Sequence, residues 1–175
     1  MTSELLRAVT THADAAPHLS QLLATSQRHG LSAPQTAYVL ALAHHESRLG
    51  LRLVDPASGW GWEGRSELGN TEEGDGPRFR GRGYVPIVGR RAYSQWARHL
   101  DLPLVEYPEL VQTPEVAADI LVQGVTFGRF TGRSLPEFVN DVRADYVGAR
   151  RTVPRRDRAG VVAGYARWFA SALRR

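Results

Sequence analysis

Apolar residues recur at helical spacing along much of the chain. The clearest run, residues 38–43 (YVLALA), follows Ser32, a favoured N-cap, and Gln35, which completes a capping box. The sequence therefore predicts a helix from Ser32 to about Gly50, a natural C-terminal residue. Similar patterns predict two short helices over residues 4–29, with a break near residues 15–17. They also predict helices over residues 90–99, 113–127, 134–137 and 158–173, the last of them capped by Asp157.

Residues 54–84 break the helical pattern. They contain many glycines, few aliphatic residues, and paired acidic and aromatic residues. This stretch is longer than the ~12–15 residues of an ordinary connection, which indicates a functional loop with a small hairpin. We therefore predict a mainly α fold, one domain over residues 1–175, with a Gly-rich loop or small β-hairpin lining a cleft.

The charge of the chain indicates which kinds of partner it could bind. All 22 basic residues are arginine, the net charge is +4 and the isoelectric point is near 9.9, which favours anionic partners. There is no apolar run of the ~20 residues that span a membrane. The first 14 residues have no secretory-signal pattern, so we expect synthesis in the cytoplasm. The sequence contains no cysteine, and we expect a monomer without cofactor.

Glu46 is the first candidate for chemistry. It follows Ala43, Leu42 and Val39 at helical spacing, so it lies on the apolar stripe of its own helix. Burial and the negative end of the helix dipole both disfavour a charged carboxylate, as a general acid requires. The alternative is a surface glutamate paired with Arg48 or Arg52. The neighbouring His44 and His45 point about 100° apart and lack zinc-site spacing, so we expect no metal.

Five segments resemble one known family. Residues 43–47 (AHHES), 62–71 (WEGRSELGNT), 74–84 (GDGPRFRGRGY), 145–151 (DYVGARR) and 157–159 (DRA) are similar to motifs of chitinase-like phage endolysins, relatives of glycoside hydrolase family 19. The resemblance implies a lysozyme-like helical fold. It also implies inverting hydrolysis of β-1,4-linked N-acetylhexosamine polymers, which requires two carboxyl groups ~6.5–9.5 Å apart.

The resemblance also implies roles for individual residues. Glu46 takes the general-acid position and Glu63 the general-base position, with Glu67, Glu72 and Glu73 as competing bases. Arg82 would brace the carboxylates. The implied substrate-binding residues are His45, Arg82, Tyr84, Tyr93 and Arg158. The nearby aromatic residues are expected to be mostly core, with one or two as platforms for sugars: Trp60, Trp62, Phe79, Tyr84 and Tyr93.

The chain departs from the family pattern at four positions. Pro86 replaces a glutamine, Val88 a threonine or serine, Ala92 an asparagine, and residues 152–155 (TVPR) replace a segment that contains another asparagine. In the family these polar groups hold the attacking water and the sugar, and losing one such hydrogen bond can cost ~10²-fold in rate.

Three hypotheses follow. The first is a peptidoglycan hydrolase of the muramidase type, which acts on the bacterial cell wall after release or delivery, including delivery by a phage particle. The second is a non-catalytic relative that binds glycan or a protein. The third, nucleic-acid binding through the arginines of residues 150–158, is the weakest because no known nucleic-acid module surrounds them.

Overall fold

The chain folds into a mainly helical structure. This computed structural model describes residues 13–155 and 157–174. The α-helices in the described residues are α1 (Ala16–Arg28), α2 (Ala33–Ser47), α3 (Asp75–Arg78), α4 (Arg90–Leu100), α5 (Pro114–Thr126) and α6 (Ala159–Leu173). Short 3-10 turns lie at Ala13–Ala15, Trp60–Trp62, Ser66–Leu68, Pro108–Gln112, Leu135–Glu137 and Gly148–Thr152. The predicted mainly α fold class is confirmed.

Helix α2 is the centre of the main core. Residues 36–43 are all buried, and the helix packs chiefly against α6, with α1 and α5 on its other sides. Its predicted start is confirmed, because the Ser32 N–H donates to Gln35 Oε1 at 3.0 Å. The helix ends at Ser47 rather than Gly50, since Arg48 and Leu49 both take the left-handed conformation. This central helix fixes the position of Glu46 in its last turn.

A second, smaller core lies beneath the Gly-rich loop. It joins α4 to the loop and to α5 through the buried residues Phe79, Ile87, Tyr93, Trp96, Leu104, Val111 and Ile120. Instead of a hairpin, the described part of this loop contains isolated antiparallel bridges, Val54 with Arg82 and Arg82 with Ile87. These bridges hold the segment after α2 beside residues 81–87, and together the two segments form one wall of a cavity.

Two predicted helix boundaries can be compared with the structure. The second of the two short helices expected over residues 4–29 is α1, which begins at Ala16 near the predicted break, after the 3-10 turn Ala13–Ala15. The first of the two falls largely on residues 4–12, which lie outside the described residues. Pro17 is accommodated because it lies in the first helical turn, where no amide donor is needed. The cap of α6 is Arg158, with a φ of 54°, rather than Asp157. The main-chain oxygen of Asp157 instead accepts a hydrogen bond from Arg150 Nε at 3.1 Å.

No helix in the described residues is long and apolar enough to cross a membrane.

Candidate functional site

A cavity of about 520 Å³ opens at the C-terminal end of α2. Its walls come from α2, the loop after it, residues 83–88, α4, and the segments that follow α5 and the turn Gly148–Thr152. The acidic residues among the described lining are Glu46 and Asp55. Apolar side chains, including Val54, Ile87 and Trp96, make up much of the rest. The fold therefore places two carboxylates in one cavity whose walls combine polar and apolar side chains.

Glu46 is held by a buried ion pair. Arg150 Nη2 donates to Glu46 Oε1 at 2.7 Å, and the exposed fractions of the two side chains are 2% and 11%. Arg150 is oriented by its Nε bond to the Asp157 main chain, and Asp157 Oδ1 lies 3.7 Å from Nη2. The alternative interpretation, a surface glutamate paired with Arg48 or Arg52, is therefore wrong. Arg150 therefore supplies Glu46 with a cationic partner inside the fold.

Asp55 is a functional candidate that the sequence analysis missed. Its main-chain N–H donates to Gly81 O at 2.9 Å, which ties it to the opposite segment of the loop. Its Oδ1 accepts the Ala57 N–H at 2.9 Å. The sequence does place an acidic residue shortly after the end of α2, which could have indicated Asp55. The Gly-rich motif instead predicted Glu63 as the second carboxylate. The bridge of Val54 with Arg82 brings Asp55 into the same cavity wall.

Glu63 has a different environment. Its Oε1 accepts the Gly74 N–H and its Oε2 accepts the Gly76 N–H, both at 2.7 Å. Both carboxylate oxygens thus bind the backbone at the start of α3, whereas the described cavity lining contains Glu46 and Asp55 as its acids. The geometry gives Glu63 a structural task, which is to hold the turn that precedes α3. A Cβ at Gly76 would lie 2.7 Å from the backbone atoms Glu63 N and Gly59 O, so this close approach requires glycine.

We expect Glu63→Gln to reduce stability more than activity. A glutamine keeps one acceptor oxygen but turns an amide group toward the other N–H, which costs about 2 kcal/mol in the free energy of unfolding. Urea unfolding measures this cost, with Glu67→Gln on the exposed part of the same loop as the control. Equal free energies of unfolding for Glu63→Gln and Glu67→Gln would contradict this structural task.

The competing acidic residues on the loop lie at the surface. Glu67, Glu72 and Glu73 are exposed, and Glu72 pairs with Arg90 Nη2 at 2.5 Å. Arg90 also binds the buried Asp75, and this contact holds the pKa of Asp75 below its ordinary value. The cluster therefore stabilises the loop as an ion-pair network, away from the cavity lining.

Three implied substrate-binding residues lie in the protein interior. Tyr84 and Tyr93 have no exposed surface, and Arg82 is also buried. Arg82 Nη1 donates to the main-chain oxygens of Arg78 and Arg80 and to the Tyr93 hydroxyl, rather than to a carboxylate. The Tyr84 hydroxyl is 2.9 Å from His18 Nδ1. The expectation that these residues touch sugar or brace the carboxylates is therefore corrected: they hold the loop onto the core.

The other implied residues lie around the end of α2. His45 is half-buried beside Tyr165, and burial lowers its pKa. Arg158 is exposed at the start of α6. Within residues 13–155 and 157–174, no group of three or more histidine, aspartate or glutamate side chains could hold a metal ion.

The tryptophans of the loop differ in exposure. Trp62 lines the cavity and packs against Arg65, whose guanidinium carbon is 5.0 Å from the ring centroid. Trp60, on the same 3-10 turn, is 60% exposed. Phe79 is fully buried, as expected for core. Trp62 is therefore the aromatic residue of this loop that the structure places where a sugar ring could stack.

The four departures from the family pattern meet at one place. Pro86, Val88, Ala92 and Pro154 all line the cavity that contains Glu46. They come from distant parts of the sequence, so only the fold brings them together. Their side chains carry no hydrogen-bonding group, which makes this part of the wall apolar.

The basic segment near residue 150 is not one continuous surface. Arg150 is buried and paired with Glu46, whereas Arg151, Arg155 and Arg158 are exposed, and Arg156 lies outside the described residues.

No protein-family model matches this chain, and no curated protein is similar to it in sequence.

Proposed function

We propose that this chain is a glycoside hydrolase that cleaves β-1,4 bonds in peptidoglycan, between N-acetylmuramic acid and N-acetylglucosamine. The observation that carries the proposal is the position of Glu46, at the rigid end of a buried helix and in the wall of the cavity. The resemblance of residues 43–47, 62–71 and 74–84 to endolysin motifs supports the substrate class.

Glu46 acts as the general acid in this proposal. Cleavage of a glycosidic bond requires a proton on the leaving oxygen, and a carboxylic acid in the cavity wall can deliver it. Arg150 holds Oε1 of Glu46 in place through Nη2. In the proposed reaction the other oxygen, Oε2, takes up a proton from solvent and donates it to the leaving oxygen as the glycosidic bond breaks, which leaves Glu46 as the carboxylate paired with Arg150.

Asp55 acts as the general base. An inverting hydrolase needs a second carboxylate that activates water on the opposite face of the sugar. Asp55 meets this requirement better than Glu63, since it lines the cavity and its Oδ1 alone is used by the Ala57 N–H. Glu63 uses both oxygens to hold Gly74 and Gly76.

We expect Asp55→Asn to lower the rate of peptidoglycan cleavage by about 10²- to 10⁴-fold, the usual effect of a lost general base. The fold should tolerate the change, because asparagine Oδ1 can still accept the Ala57 N–H. The test compares release of soluble fragments from purified peptidoglycan by wild type, Asp55→Asn and Glu63→Gln. Asp55 is not the base if Asp55→Asn cleaves peptidoglycan at the wild-type rate and Glu63→Gln cleaves it more slowly than wild type.

A second function has one specific observation in its favour. Pro86, Val88, Ala92 and Pro154 give the cavity an apolar wall where a hydrolase would use side chains to position water. A protein of this kind would bind glycan without cutting it. Such a protein would sediment with insoluble peptidoglycan in a pull-down experiment. Glu46→Gln would then leave the rate of fragment release unchanged, because wild type releases no fragments either.

A further inference from the structure

The rim of the cavity carries an excess of positive charge. Arg52, Arg129 and Arg155 line it, each from a different part of the fold: the segment after α2, the segment after α5, and the segment after the turn Gly148–Thr152. All three are exposed. Convergence of three arginines on one cavity makes it a place where an anionic group would be stabilised.

The acids of the cavity do not cancel this charge. Of the two carboxylates in the described lining, Glu46 is already paired with Arg150, which does not itself line the cavity. Asp55 remains as the acidic counterpart of three arginines. The guanidinium carbon of Arg129 lies 5.6 Å from the Phe127 ring, a contact that orients the side chain without neutralising it.

The apolar wall of the cavity offers a ligand few hydrogen bonds from side chains. Pro86, Val88 and Ala92 offer no side-chain hydrogen bond, and Ile87 and Trp96 extend the same apolar surface. A neutral amino-sugar polymer depends on hydrogen bonds to its hydroxyl and amide groups. On this side the cavity offers apolar contact, and its arginines add positive charge, a combination that suits a glycan whose rings carry carboxylate substituents.

We infer that Arg52, Arg129 and Arg155 select a carboxylate-bearing amino-sugar polymer over a neutral one of the same backbone. This inference rests on the proposed function in that it concerns the same cavity, and it specifies what the cavity recognises. The carboxylate has two sources in peptidoglycan, the lactyl group on the sugar and the attached peptide. Both present the same chemistry to a guanidinium group, which binds a carboxylate through paired hydrogen bonds.

Binding of defined oligosaccharides tests the inference without requiring cleavage. The probes are a peptide-free tetrasaccharide of alternating N-acetylglucosamine and N-acetylmuramic acid, the same glycan with peptides attached, and neutral chitotetraose. Calorimetry measures their dissociation constants with wild type and with Glu46→Gln. We expect at least one acidic probe to bind about tenfold more tightly than chitotetraose at low salt, and the difference to shrink as salt screens the charges.

Variants then assign the preference to the rim. Arg129→Gln combined with Arg155→Gln should reduce the preference to less than about threefold, because the charge-assisted hydrogen bonds are lost. The matched control, Arg98→Gln combined with Arg167→Gln, removes two exposed arginines outside the cavity lining and should leave the preference unchanged. Circular dichroism and thermal unfolding establish that each variant is folded.

The possible results separate this inference from the proposed function. Tighter binding of either acidic probe supports the inference even if wild type cleaves nothing, and the better of the two identifies the source of the carboxylate. Equal or tighter binding of chitotetraose overturns it, as does a control variant that loses the preference equally. Failure of all three probes to bind also overturns it, whatever is found for cleavage.

Discussion

Glu46→Gln is expected to lower the rate of peptidoglycan cleavage by about 10³-fold. Glutamine has nearly the same shape but cannot donate a proton to the leaving oxygen, and general acid catalysis contributes ~10²- to 10⁴-fold. The amide oxygen can still accept the hydrogen bond from Arg150 Nη2, but the buried guanidinium loses its carboxylate counter-ion, so the variant is expected to be less stable than wild type. The measurement is the initial rate of fragment release at a temperature where both proteins are folded.

The control for this prediction is another glutamate on a helix. Glu115 is exposed in the first turn of α5, and Glu115→Gln should cleave at the wild-type rate. If Glu46→Gln and Glu115→Gln cleave equally fast, Glu46 is not the acid. If neither variant nor wild type cleaves while all three are folded, the binding function becomes the better account of the cavity.

Arg150→Met is expected to destabilise the protein by about 3 kcal/mol, near the lower end of the range for breaking a buried ion pair. The change leaves the Glu46 carboxylate without its partner, and the 11% exposure of that side chain gives water little access to it. The bond from Nε to the Asp157 main chain is lost as well. The measurement is the free energy of unfolding in urea at neutral pH.

Two further proteins decide whether the ion pair is the cause. Arg151→Met replaces the exposed neighbour of Arg150 and should change stability little. The double variant Arg150→Met with Glu46→Gln removes both charges and should recover part of the loss, because no unpaired charge remains buried. Equal stability of Arg150→Met and Arg151→Met would contradict this account of the pair.

Local sequence signals were sufficient where the determinants are close in the chain. Ser32 and Gln35 fix the start of α2, and its unbroken apolar run predicts a helix buried on all sides. The burial of Glu46 also followed from spacing along this one helix. These features could be predicted because a helix cap and a helical stripe involve residues only a few positions apart.

The partner of Glu46 could not be found in this way. Arg150 is 104 residues away, and its segment is as rich in arginine as any exposed basic region. Arg150 lies in the turn Gly148–Thr152, which packs against α6, and α6 in turn packs against α2. Likewise, the assignment of Glu63 as the base followed a local motif, whereas the backbone amides that occupy its oxygens are set by the turn at Gly74 and Gly76.

The roles of the buried loop residues were also set by three-dimensional structure. Tyr84 and Tyr93 are aromatic residues of a type that can stack on a sugar ring, but both rings lie in the interior of the protein. The sequence cannot distinguish an aromatic residue that faces a cavity from one that faces a core when the surrounding loop has no regular period. The sequence therefore indicates Trp62 and Tyr84 equally well as sugar-stacking residues, and only the fold shows that Trp62 faces the cavity and Tyr84 the core.

Identification of digestion products decides whether the cavity around Glu46 cuts glycan. Purified peptidoglycan is incubated with wild type or with Glu46→Gln, and the soluble products are identified by mass spectrometry. We expect disaccharide-peptides with new N-acetylmuramic acid reducing ends from wild type, and almost none from Glu46→Gln. Absence of such products from folded wild type, across several wall types and pH values, would contradict this expectation.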